Sequence, residues 1–270
     1  PVADFFRVAL VVHVDLSVLV WFAAMAGMLW SLNASARGGR WNWAALALCG
    51  LRTALMSLGA FIAPGAPIMA NYIPVLEGPL FLTGLVTFGA GFTVQVVGSL
   101  LSAPRLGGAI DGTRALRFGL NASAVSAGIA VIAFAWSLAV VPTALAGKAY
   151  YEILFWGGGH ALQFAWTLLM LVGWLCLAHA CGARIPLSPR LVLLMFALAL
   201  VSVFVTPYAY LAHDVATVEH RNLHTWAMRF GGGVAILPVA LAVVLAILPL
   251  RDVAATARPL RAALISSMTL

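Results

Sequence analysis

Charge is what this sequence most lacks. Of 270 residues only 9 % are Asp, Glu, Lys or Arg, against 63 % apolar, and the mean hydropathy is +1.04. Soluble domains carry roughly 25 % charge and about 45–50 % apolar residues, so a water-soluble globular fold is excluded. Cysteine is scarce too. Cys49, Cys176 and Cys181 form no CxxC or CxxCH motif, which excludes a disulfide framework, a zinc-finger site and covalent haem attachment. Polar residues do not alternate with apolar ones as in a transmembrane β-barrel. The apolar runs are instead continuous and reach the roughly 20 residues that a membrane-crossing helix needs. The net charge of +7 comes from arginines scattered through short loops, with no basic stripe to grip nucleic acid. Membrane lipid is the partner that this composition implies.

The expected fold is therefore all-α, a single polytopic transmembrane bundle over 1–270. Seven full spans read at roughly 8–31, 43–63, 72–101, 116–141, 150–178, 190–212 and 222–249, with an eighth begun near 259. No removable signal peptide precedes the first span. A start at Pro1 and an end inside the apolar stretch PLRAALISSMTL read as a fragment at both ends. The loops alternate in charge. Arg37 and Arg40, then Arg105, Arg114 and Arg117, then Arg184 and Arg190, then Arg251, Arg258 and Arg261 occupy every second loop. By the positive-inside rule these loops are cytoplasmic. This predicts a multi-pass protein of a bacterial-type cytoplasmic membrane whose first span enters from outside.

On that orientation His13, His160, His213, His220 and His224 share the outer half of the membrane, and only His179 lies at the inner edge. Ionisable groups inside a bilayer are costly and mark sites or pathways, and neutral imidazole is the commonest metal ligand among them. His160 follows Gly157, Gly158 and Gly159. Each glycine costs helix stability of up to about 1 kcal/mol relative to alanine. They serve either close helix packing or clearance for something flat that His160 holds. Gly231, Gly232 and Gly233 in the seventh span have no adjoining histidine and read as packing. His220 and His224 stand four residues apart on one helical face, which allows a metal site; EHRNLH reads equally as a polar helix entrance, the favoured reading. Glu77, between Pro74 and Pro79, and Glu152, two turns before His160, are candidate proton relays or helix caps. Asp15 points to a different face from His13 and is a candidate for proton entry or a surface hydrogen bond. Arg52 and Arg229 lie alone in their spans. Tyr208 and Tyr210 read as interfacial belt residues.

Two segments carry a resemblance. RVALVVHVDLSVLVWF resembles the second helix of the haem-copper oxidase catalytic subunit, where a histidine near the outer end binds the low-spin haem. WGGGHALQF resembles its sixth helix, where a tryptophan–glycine–histidine segment supplies a copper ligand. The 147 residues from His13 to His160 and the 53 from there to His213 suit the cbb-type oxidases and nitric oxide reductases. The resemblance implies His13 as a haem ligand and His160 and His213 as copper ligands, with Gly159 bordering the cofactor; Arg52, read from its place in the span, either pairs a carboxylate or a haem propionate at the cofactor or snorkels to the outer end. It implies reduction of oxygen or nitric oxide with electrons from cytochrome c or a quinol, alongside other oxidase subunits, a setting in which Glu152 and Glu77, if relays rather than caps, would carry protons. The chain departs from the family at Asp214, where a second adjacent histidine is usual, and the ligands of the second haem would lie past Leu270. A degenerate haem-binding homologue without catalysis and a transporter are the alternatives.

Overall fold

The computed structural model describes residues 2–35, 39–250 and 254–269, with the side chains of the first four residues left out; Arg37, Arg251 and Asp252 lie outside the described residues. Seven helical stretches are long and apolar enough to cross a membrane: Phe5–Asn33, Gly39–Ile62, Pro79–Ser102, Gly112–Val140, Gly147–Ala180, Pro189–Ala212 and Val218–Ile247. At 1.5 Å per residue even the shortest exceeds the roughly 30 Å hydrocarbon layer. The protein is a helical membrane bundle.

Several stretches are composite. The first joins α1 (Val2–Val14) to α2 (Trp21–Asn33) through a π-helical turn at Asp15–Val20. The second, third, fourth and fifth are α3 (Gly39–Ile62), α4 (Pro79–Ser102), α5 (Gly112–Val140) and α6 (Gly147–Ala180). The sixth breaks at Phe204 between α7 (Pro189–Val203) and α8 (Val205–Ala212). Pro207 explains that break, because it cannot donate to the Val203 carbonyl one turn earlier. The seventh runs from α9 (Val218–Trp226) through a π-helical segment at Ala227–Gly232 into α10 (Gly233–Ile247). Thr217 caps α9 by accepting the His220 amide at 3.3 Å, and Asp111 caps α5 by accepting that of Arg114 at 2.8 Å.

Residues 72–78, expected in the third span, are not helical. Pro67–Ile68 (β1) and Val75–Leu76 (β2) pair antiparallel in a short hairpin, and Pro79 begins the helix. Near 259 the chain forms α11 (Arg258–Thr269). Its 12 residues extend about 18 Å, short of a full span, and it packs on α6 through buried Leu264 and a 3.1 Å bond from Trp174 to Ser267.

α6 is the axis of the bundle. In its apolar window 61 % of residues are buried, and no other span exceeds 39 %. One core surrounds its first half with Phe81, Phe155 and Phe164, and a second surrounds its other half with Leu168, Trp174 and Phe196. Beside this axis α3 and α4 lie in close contact. Gly84, Gly91 and Gly98 recur every seven residues along α4, where a Cβ would come within 2.8 Å or less of Met56, Cys49 and Trp41 of α3. Small residues at such crossings let two backbones approach without a side chain between them. The loops 63–78, 141–146 and 213–217 share one end of the bundle, the histidine end; Arg105, Arg114, Arg117, Arg184 and Arg190 belong to the opposite, arginine end.

Candidate functional site

The three glycines of α6 each seat an aromatic ring. A Cβ on Gly157 would overlap the ring and hydroxyl of Tyr210, one on Gly158 the ring of Phe134, and one on Gly159 the ring of Tyr72. The clearance expected for a cofactor is thus filled by the protein's own rings, brought in from the 63–78 loop, α5 and α8. Tyr210 is buried rather than interfacial, and its hydroxyl lies 2.6 Å from that of Ser137. Tyr208 is 59 % exposed, as expected of a belt residue. Of the second triplet only Gly231 packs closely, against Ser202; a Cβ on Gly232, itself buried, or on Gly233 would meet nothing within 4 Å.

This floor places His160 against a second pair of imidazoles. His160, His220 and His224 are all buried. Ring centroids are 5.3 Å apart for His160 and His224 and 4.8 Å for His220 and His224. Tyr210 closes one side, its ring edge-on to His220 at 4.7 Å. Each imidazole has Nδ1 facing a main-chain carbonyl. His160 Nδ1 lies 2.8 Å from the Trp156 oxygen, His220 Nδ1 lies 3.3 Å from that of Ala209, and His224 Nδ1 lies 2.9 Å from that of His220. A carbonyl only accepts, so Nδ1 carries the proton in each ring and Nε2 keeps its lone pair. His224 Nε2 is buried with no partner. The Tyr72 hydroxyl sits beside the His160 ring, 2.9 Å from Nδ1 and 3.0 Å from Nε2. Burial pushes the Tyr72 phenol above its usual range, so it remains a donor at neutral pH.

Nδ1–H bound to a carbonyl with Nε2 presented is the orientation that second-shell bonds impose on metal-ligating histidine. Imidazoles sharing a tetrahedral ion at about 2.0–2.1 Å have ring centres roughly 5 Å apart, close to the separations here. The rings are mutually tilted by 46–50°, and as they stand no three His, Cys, Asp or Glu side chains among the described residues close on a common ion position.

The other expected site residues do not join this cluster. His13 is exposed on the bundle surface, because α1 turns Val8, Val11 and Asp15 inward. Asp15 is 1 % exposed, and both its carboxylate oxygens lack partners. His213 ends α8, half-buried and with extended backbone, and Asp214 next to it caps the following turn through a 2.8 Å bond from the Ala216 amide. Gly159 is covered by Tyr72. Arg52 is half-buried in α3, its Nε without a partner. Glu77 is exposed at the end of the hairpin, and Glu152 pairs with Lys148 at 3.6 Å. His220 and His224 were legible only as an ambiguous pair, and nothing in the sequence marked Tyr72. A cavity of about 460 Å³ lies between the first span and α6, with Tyr72, Trp156 and Trp166 in its wall and no histidine.

No family model matches the chain, and no solved structure does. Uncharacterized protein RP382 of Rickettsia prowazekii (strain Madrid E) is 23 % identical over 282 aligned positions, covering 92 % of this chain and 54 % of that protein. The chain therefore spans about half the length of this relative.

Proposed function

We infer that this membrane protein holds a transition-metal ion, copper on the oxidase resemblance, at His160, His220 and His224. The observation that carries the reading is that three buried imidazoles each face Nδ1 to a main-chain carbonyl, while His224 Nε2 has no partner. A buried acceptor without a donor costs about 1–3 kcal/mol, and a cation offsets that cost. Imidazole donors suit copper or zinc. Copper would supply one-electron chemistry toward oxygen or nitric oxide. The chain's own part is to fix the three tautomers, exclude water with Tyr72, Phe134 and Tyr210, and place the site at the end that the arginine distribution makes external.

Within this reading the copper ligands are His160, His220 and His224, with His213 replaced by the α9 pair. Haem-dependent reduction of oxygen or nitric oxide, fed by cytochrome c or a quinol in a complex with other subunits, is the fullest form of the proposal. A second reading, a metal-binding homologue without turnover, is favoured by one observation: His13, the expected haem ligand, faces out of the bundle. The test is metal analysis and optical spectra of full-length protein purified in detergent after growth with copper. The expected result is about one copper per chain, lost in H160A, H220A and H224A and retained in H13A and H213A. Copper retained in all three cluster variants would reject the site. A haem spectrum that vanishes in H13A would favour the oxidase over the homologue without turnover.

A further inference from the structure

Asp15 is a carboxyl group placed where a bilayer tolerates it least. It lies ten residues inward from Phe5, where the first span begins, about 15 Å at 1.5 Å per residue. It is 1 % exposed, and neither of its oxygens meets a donor. An ionised carboxylate buried there without a counter-charge is far costlier than the neutral acid, so the uncharged form is the one this seat accepts. Asp15 also opens the π-helical turn at Asp15–Val20, a distortion frequent at functional sites. Val14 beside it and Val18 and Leu19 one turn on wall the cavity of about 460 Å³, which also carries Asn71, Tyr72 and Gln163. A cavity of that size with polar groups has room for water. The titratable side chains on the elements packed against α1 are Cys49 and Arg52 of α3 and Tyr72 and Glu77 of the hairpin segment, and none of them bonds to Asp15. Arg7 and His13 of α1 itself are exposed. Arg52 lies ten residues from Ile62, the end of α3 on the histidine side, which puts it at the depth of Asp15, and its Nε is buried without a partner.

We propose that Asp15 is a reversible proton-binding site inside the membrane, neutral in the structure described and paired with the Arg52 guanidinium once it ionises. On binding, a hydronium ion in the cavity gives its proton to a carboxylate oxygen, an O–H bond forms, and the Asp15–Arg52 pair parts. Release returns the proton to water and restores the pair. Proton uptake is thereby tied to the contact between the first span and α3. The ligand is the proton alone, so the site stands whether or not the histidine cluster holds a metal.

The test is infrared difference spectroscopy of full-length protein in liposomes between about pH 5 and about pH 10, with D15N as the reference. The expected result is a protonated-carboxyl C=O band, absent from D15N, that gives way to a carboxylate band as pH rises. In R52Q the ionised form loses its counter-charge, so the midpoint moves up by at least about one pH unit, about a tenfold gain in proton affinity; R52K, which keeps the charge, leaves it in place. Should D15N fail to fold, dicyclohexylcarbodiimide, an apolar reagent that adds to protonated carboxyls from the lipid phase, identifies the residue by peptide mass spectrometry. It labels Asp15 of the wild type at the acid end of the range and not at the alkaline end. A carboxylate difference band at every pH, an acid band that never yields, or no Asp15 adduct at any pH overturns reversible binding. A midpoint unmoved in R52Q overturns the pairing with Arg52.

Discussion

At Gly158 the space for a side chain is taken by Phe134, whereas at Gly173 on the same helix nothing lies within 4 Å. The two glycines therefore respond oppositely to a methyl group. G158A forces the phenyl ring aside and costs about 1–3 kcal/mol of overpacking, while G173A gains about 0.5–1 kcal/mol of helix propensity. Unfolding in graded SDS, followed by circular dichroism, separates them, and equal effects would contradict the seating of rings over the triplet. Tyr72 makes a pH-dependent contribution. Its folded-state ionisation is raised by burial, so the associated stability is fully present below the unfolded value of about 10 and is lost as pH rises above it. Between pH 9 and 11 the melting temperature of the wild type should fall further than that of Y72F.

Among the elements, the α3–α4 pair depends on the seven-residue glycine row. A Cβ at Gly91 would stand 2.8 Å from Cys49 Sγ and 2.9 Å from Leu48 Cβ. G91A is expected to destabilise by about 1–3 kcal/mol, and adding C49A should return part of it, with a coupling of at least about 0.5 kcal/mol in a double-mutant cycle. Strict additivity would place the clash elsewhere. The spans themselves were legible, because each is an apolar run long enough to cross a bilayer and the loops between them are short. The rotation of each span about its axis was not. His13 and Asp15 are two residues apart, so sequence places them on different faces, but only packing against the hairpin and α3 decides which face turns inward. The α9 pair was ambiguous for a related reason. EHRNLH is polar by composition, and the burial of both its histidines comes from Tyr210 on α8 and His160 on α6, contacts across sequence separations that no local pattern encodes.

For the molecule as a whole, the two ends of the bundle differ in character. One gathers arginines in its loops; the other gathers buried imidazoles beneath the hairpin and the 213–217 turn. The arginine distribution predicts that single cysteines introduced at Ala216 react with an impermeant maleimide in intact cells, whereas ones at Ser188 react only after lysis, in a background lacking Cys49, Cys176 and Cys181. The reverse pattern would invert the bundle and place the histidine cluster on the cytoplasmic side.

The π-helical turn at Asp15–Val20 governs the phase of everything before it. Such a turn is wider by one residue than its α-helical equivalent, and one residue is about 100° of rotation. Excising a single residue from that turn would spin the N-terminal segment by about that angle relative to Trp21–Asn33, carrying His13 off the lipid-facing surface and swinging Asp15 away from its present seat. One peptide unit thus acts as the dial that selects which side chain of the opening helix looks into the protein.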